Sequence, residues 1–220
     1  FLTLNRNDRE RLFKNTELVM DFSTSIAVER KLANDEQTFR RCTSFLNPKG
    51  DDVVLLIEDK ERNTRLDLLE MDYYRNLIVD ERFSQHLEQT ETVRTNTFSC
   101  RSESMILNYE NVRVLSAIIS KQIRKYYTSG QACLNIWHFD AENGIVLSLP
   151  MTITNWHHEA LGGIQIYISD AVEKEIQTMT ATSPDKETGG CLFGSYDRDH
   201  NSIYVYYMIP APKDSIHSPI

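Results

Sequence analysis

The residues best placed to do chemistry stand in the run Lys186-Glu187-Thr188-Gly189-Gly190-Cys191-Leu192-Phe193-Gly194. A carboxylate comes first, two glycines follow, then apolar residues and a turn glycine. That order sets Glu187 at the mouth of a buried strand, where bare backbone leaves room for a close approach. Glu187 is therefore a candidate catalytic carboxylate. The residues by themselves name no reaction, and a solvated carboxylate ahead of a strand would show the same pattern.

Two further positions carry reactive or ligand-binding groups. Cys100 follows a polar stretch, neighbours Arg101 and precedes a helical pattern. A nearby cation and a helix N-terminus both lower a thiol pKa, so Cys100 is a candidate nucleophile; an ordinary partly buried cysteine is the alternative. Cys42, Cys133 and Cys191 sit in apolar strand contexts and read as core. Asp21 closes a short apolar strand just before Ser23-Thr24-Ser25. A polar group at the carboxyl end of a parallel strand is where open α/β sheets bind ligands, and Asp21 is a candidate for cofactor binding on that ground. A plain turn residue is the competing assignment. His157-His158-Glu159 resembles a metal cluster in composition, but adjacent side chains of an extended segment point to opposite sides. His217 stands alone in a loop. No metal ligands are expected within this chain.

The elements that must position these groups follow from periodicity. Glu17–Phe22 reads as a strand, Ser23-Thr24-Ser25 as cap residues, and Ile26–Ala33 as a helix, which together make half of a βαβ unit. Arg40–Leu46 is a weaker strand, Asn47-Pro48-Lys49-Gly50 a turn, and Val53–Ile57 an uninterrupted apolar strand buried on both faces. Leu66, Leu69, Tyr73, Leu77 and Ile78 recur at helical spacing over Arg65–Val79. Asp80–Phe98 is polar and reads as a mobile connection. Tyr109–Tyr126 is the longest helical pattern, ended by Ser129-Gly130. Leu134–Phe139 and Ile145–Leu149 flank Asn143-Gly144 as a hairpin. The character changes across Met151–Gly163, and a strand at Ile164–Ile168, a helix carrying Val172, Ile176 and Met179, and strands at Gly190–Gly194 and Ile203–Ile209 follow. The boundary divides the chain into residues 1–155 and 156–220.

Composition narrows the partners. The 220 residues are 40% hydrophobic and carry a net charge of -8, enough apolar material for one large or two small cores. The acidic balance argues against non-specific nucleic-acid binding and against an anionic membrane surface. The four cysteines show no Cys-x-x-Cys pairing, which speaks against a zinc ribbon and against a disulfide framework. There is no signal-peptide pattern and no apolar run of about 18 residues, so the cytoplasm is the expected location. The chain opens at Phe1 and closes in a Pro/Ser/Lys loop, and reads as part of a longer protein.

Two family resemblances follow from these motifs. Glu187-Thr188-Gly189-Gly190-Cys191-Leu192-Phe193-Gly194 resembles the opening Glu-x-x-Gly-x-Leu-x-Gly of the JAB/JAMM zinc isopeptidases, and the order of elements over Ile164–Ile220 agrees. The resemblance implies that Glu187 is a general base toward zinc-bound water, attacking an isopeptide carbonyl beyond the C-terminal glycine of a ubiquitin-like protein. The family's His-x-His is absent here, so the zinc ligands would lie outside this chain. Leu18-Val19-Met20-Asp21-Phe22-Ser23-Thr24-Ser25-Ile26-Ala27-Val28 resembles the mid-sheet strand and helix of ThiF-like ubiquitin-activating adenylyltransferases. Asn47-Pro48-Lys49-Gly50, Glu70-Met71-Asp72-Tyr73-Tyr74-Arg75 and Ser99-Cys100-Arg101-Ser102 resemble bacterial members joined to conjugation or JAB modules. The implied fold is α/β, a partial ThiF-like doubly wound sheet followed by a partial JAB/MPN-like domain. The implied cofactors of the parent protein are zinc and ATP with magnesium, although no Gly-x-Gly-x-x-Gly occurs here. Cys100 becomes the thioester cysteine. The implied partners are a ubiquitin-like protein, a conjugating-enzyme-like protein and a second copy as homodimer, in bacterial ubiquitin-like modification or antiphage defence. A catalytically inactive scaffold of such a system is the alternative.

Overall fold

The computed structural model describes residues 6–23, 25–88, 107–182 and 188–212. The chain divides into two compact units, Phe1–Ile153 and Thr154–Ile220. Both are mixed α/β, and among the described residues no helix is long and apolar enough to cross a membrane.

The first unit runs α1 (Arg6–Leu12), β1 (Leu18–Asp21), α2 (Ile26–Ala33), β2 (Arg40–Leu46), β3 (Asp52–Ile57), α3 (Leu66–Val79), α4 (Tyr109–Ser129), β4 (Cys133–Asp140) and β5 (Ile145–Pro150). Its five strands form one sheet in chain order. β1 and β2 are parallel, joined across α2, whereas β2–β3, β3–β4 and β4–β5 are antiparallel. The sheet is thus mixed. α2 begins where the Ser25 hydroxyl accepts from Val28 N at 3.4 Å, the cap expected of a serine there. α4 ends where Gly130 takes a left-handed φ of 72°, which lets its N–H reach Tyr126 O.

β3 is the spine of this unit. Successive side chains of a strand face opposite ways. Val54 and Leu56 pack with Leu66, Leu69 and Tyr73 of α3, while Val53, Leu55 and Ile57 pack with Leu115, Ile119 and Ile123 of α4. Every β3 residue is buried, which is why the run carries no polar alternation. Two adjacent arginines open β2. Arg41 is fully buried, and its guanidinium donates to the carbonyls of Leu32, Asp35, Gln37 and Phe39 at 2.6–2.9 Å. Arg40 does the same for Glu58, Tyr126, Tyr127 and Gln131. Carbonyls left over by helix ends and by the connections between elements are satisfied in this way.

The segment after α3 departs from the sequence reading. Residues 80–88 are fixed, not loose: Asp80 caps a 3-10 turn over Glu81–Phe83, accepting from Arg82 N at 3.0 Å. Phe83 and His86 are buried, and their anchorage is side-chain packing and hydrogen bonding that a polar composition does not reveal. Residues 89–98 lie outside the described residues.

The second unit runs β6 (Trp156–Leu161), β7 (Ile164–Ser169), α5 (Asp170–Thr182), β8 (Gly190–Asp197) and β9 (Ser202–Pro210), with sheet order β6-β7-β9-β8. β7 and β9 are parallel; β6–β7 and β8–β9 are antiparallel. β6 is an addition to the sequence reading, masked there by its polar residues. Gly162 and Gly163, at φ +60° and +85°, make the tight turn into β7 that a β-carbon would disfavour. α5 packs Val172 against Val205 and Met208 of β9. On β6, β7 and β9, His158, Tyr167 and Tyr204 stack ring on ring, with centroids 4.5 and 5.1 Å apart.

Candidate functional site

Of the three residues singled out in the sequence, Glu187 and Cys100 lie outside the described residues, and Asp21 lies within them. Asp21 ends β1, the strand that runs parallel to β2, and is 6% exposed. Its Oδ1 accepts from Ser23 N at 2.8 Å, turning the chain toward α2. Its Oδ2 is buried and has no hydrogen-bond partner among the described residues. A buried carboxylate oxygen without a donor is costly, and a cation or a donating ligand would satisfy it.

The strand after Glu187 corrects one expectation. β8 is not buried: Leu192 is 56% and Phe193 48% exposed. β8 is the sheet edge, paired only to β9, and the α5 contacts fall on β7 and β9. Cys191 is exposed for the same reason and is not a core residue. The glycines do serve close approach, at two positions. A β-carbon on Gly190 would lie 2.5 Å from Ile209 O, and one on Gly194 would lie 2.0 Å from Tyr204 O; Gly189 has open space. Cys42 and Cys133 are buried as expected, and burial pushes their thiols up to about 12 and about 11, leaving them protonated and inert.

The described histidines of the second unit do not assemble a zinc site. His157 reaches Glu159 at 3.4 Å, His158 bonds Gln165 at 2.7 Å and stacks on Tyr167, and His200 bonds Asp197 at 2.7 Å. These are separate pairs and do not converge on one point.

One polar site among the described residues was missed by the sequence reading. Asp52, the first residue of β3, is flanked by two imidazoles. His86 Nδ1 donates to its Oδ2 at 2.6 Å and His138 Nδ1 to its Oδ1 at 2.7 Å. Behind His86, Nε2 meets the Tyr73 hydroxyl at 3.0 Å. In front, Asp51 stands beside Asp52. Asn47 Nδ2 donates to Asp51 Oδ1 at 2.7 Å and to Asp52 Oδ2 at 3.2 Å, while Asn47 Oδ1 accepts from both backbone N–H groups at 3.1 and 3.0 Å. One donor atom from each of Asp51, Asp52 and His138 lies within 4.8 Å of the other two. The group opens on a cavity of about 200 Å³. The sequence signal was local and small: an Asp-Asp pair between a turn and an apolar run. Its histidine partners are 34 and 86 residues away: the β3–β4 register brings in His138, and the segment after α3 brings in His86.

A larger cleft of about 720 Å³ lies between β1 and α4, lined by Leu18, Met20, Phe22, Ile119 and Ile123. Its lining is mostly apolar, with Ser44, Ser116, Ser120, Arg124 and Tyr127 as the polar members. No protein-family model matches the chain, and no curated protein matches it.

Proposed function

We propose that the chain joins the rear half of a ThiF-like ubiquitin-activating domain to the front of a JAB-type isopeptidase domain. The parent protein then activates a ubiquitin-like protein and removes or matures it. The observation that carries the reading is Asp21: a buried carboxylate with one unpartnered oxygen, at the carboxyl end of a strand in a β-α-β crossover. Such an oxygen suits the cation that accompanies a nucleotide's phosphates. The Glu-x-x-Gly-x-Leu-x-Gly run, which leads into β8, supports the second half. In this reading Asp21 steers the cation and the Cys100 thiolate attacks the adenylated C-terminus, forming a thioester as AMP leaves. Glu187 takes the proton of the attacking water in deconjugation. Zinc, held by residues outside this chain, would supply the Lewis acid.

The parent protein, incubated with ATP, magnesium and a ubiquitin-like protein ending in glycine, tests this. Asp21→Asn should slow ATP–pyrophosphate exchange by ~10- to 100-fold, as loss of a cation-orienting group does. Cys100→Ala should abolish a reductant-sensitive thioester and leave exchange intact, while Cys42→Ala should leave both. Glu187→Gln should block release of the ubiquitin-like protein. Absence of exchange in the unaltered parent, or equal thioester formation by the Cys100 and Cys42 variants, would leave the scaffold alternative in its place.

A further inference from the structure

We propose that Asp51, Asp52 and His138 form a binding site for a first-row transition-metal dication, with His86, Tyr73 and Asn47 as its supporting shell. The site lies in the first unit and is independent of the activity proposed above. Three lines of geometry and charge lead to it.

The donor set comes first. Two carboxylates and an imidazole present donor atoms within 4.8 Å of one another, a spacing that small side-chain rotations close onto one ion. One imidazole with two carboxylates suits zinc, cobalt, nickel or manganese, whereas calcium and magnesium favour all-oxygen shells.

Charge balance is the second. Asp52 is buried and Asp51 half-buried, so two adjacent carboxylates share a partly desolvated place. Asn47, which bridges them, is neutral. Lys49 and Arg82 also line the cavity, but Lys49 is engaged by Glu88 at 2.6 Å and Arg82 by Asp80 at 2.6 Å. Those two side chains thus have carboxylates of their own, Asp52 is otherwise faced by the His86 and His138 imidazoles, and a dication bound in place of the His138–Asp52 hydrogen bond would neutralise the pair of carboxylates.

Pre-organisation is the third. Ligating carboxylates and histidines are usually held from behind by a further hydrogen bond. Here His86, whose side chain is 1% exposed, holds Asp52 Oδ2 and is itself held by Tyr73. Asn47 fixes both aspartate backbones through its Oδ1. His138 is the outermost member, with a side chain 36% exposed, and gives the ion its way in.

Chelator-stripped protein of this sequence, titrated with Zn²⁺ by calorimetry and with Co²⁺ by its visible bands, tests the site. One equivalent should bind with Kd below ~100 μM. His138→Gln and Asp51→Asn should each weaken it by ~10- to 100-fold with unchanged circular dichroism. His157→Gln, in the other unit, should leave it unaltered. Should either first-unit variant misfold, the ring nitrogen resonances of His138 in the unaltered protein should shift with the first equivalent of Zn²⁺. Binding that ignores His138→Gln and Asp51→Asn, no binding below ~100 μM, or displacement of Co²⁺ by millimolar Mg²⁺ would overturn the assignment.

Discussion

Glu58→Ala is expected to destabilise the first unit by about 3–5 kcal/mol, the cost of stranding a buried charge by removing its partner. Glu58 is fully buried directly after β3. Its carboxylate takes Arg62 Nε at 3.0 Å and lies 3.6 Å from the Arg41 guanidinium. It also accepts from the backbone of Arg41 and of Leu66, each at 3.0 Å, so it ties β2 to the start of α3. Burial works against both charges of the central pair, raising the Glu58 carboxyl and lowering Arg41 to about 10. The pair is therefore no net source of stability relative to an apolar one, yet neither member can be lost alone. Arg41→Met should cost a similar amount, because it also strands four carbonyls. Glu58→Gln, which keeps the shape and one of the two acceptor oxygens, should cost less than Glu58→Ala. Urea unfolding read by Trp137, which is 4% exposed in this unit's core, checks the series in a Trp156→Phe background. A loss below about 1 kcal/mol for Glu58→Ala would mean the carboxylate behaves as a surface group and the clamp is not what joins the elements.

How much of this was legible beforehand depends on whether the cause is local. The β3 run Val53–Ile57 announced a strand buried on both faces because each of its residues meets a helix. The α4 stripe Leu115, Ile119, Ile123 and the left-handed Gly130 stop were legible for the same reason: each is a short-range consequence of helix geometry. Asp21 could be singled out because strand end, turn and cap are contiguous. What failed was assembled over distance. Arg41 stood in a run that read as a weak strand, and its complete burial rests on loop carbonyls and on Glu58. β6 was hidden by its His-His-Glu run, which is tolerable on a strand paired on one side only. β8 was read as buried from its apolar residues, but apolar composition cannot tell a central strand from an edge. The Asp52 cluster was hidden in the same way: histidines from a supposed loop and from a distant strand converge on a residue between a turn and an apolar run.

In the second unit, the decisive substitution is Gly194→Ala, expected to cost about 3 kcal/mol or more, the upper range for forcing extra volume into a packed place. Gly194 sits where the β8–β9 register shifts, opposite Val205. An added β-carbon would stand 2.0 Å from Tyr204 O and 3.0 Å from its carbonyl carbon. Those atoms are backbone in a strand whose side chain at Tyr204 is fully buried, so they cannot swing aside as a flexible side chain would. Relief requires the two strands to part at the bulge. Gly190→Ala should be damaging in the same direction, through Ile209 O at 2.5 Å, but it lies at the strand's beginning, where fraying relieves the clash. Gly189→Ala meets nothing within 4 Å and should stay within about 0.5 kcal/mol of the parent. Amide hydrogen exchange over Ser202–Pro210 reads the series: protection should fall sharply for Gly194→Ala and be unchanged for Gly189→Ala. The same contrast bears on chemistry, because β8 is the strand that leads away from Glu187. If Gly189→Ala abolishes deconjugation by the parent protein while exchange protection is intact, the open space at Gly189 serves substrate approach. If only Gly194→Ala does so, the glycines act through the fold, and Glu187 depends on them for position alone.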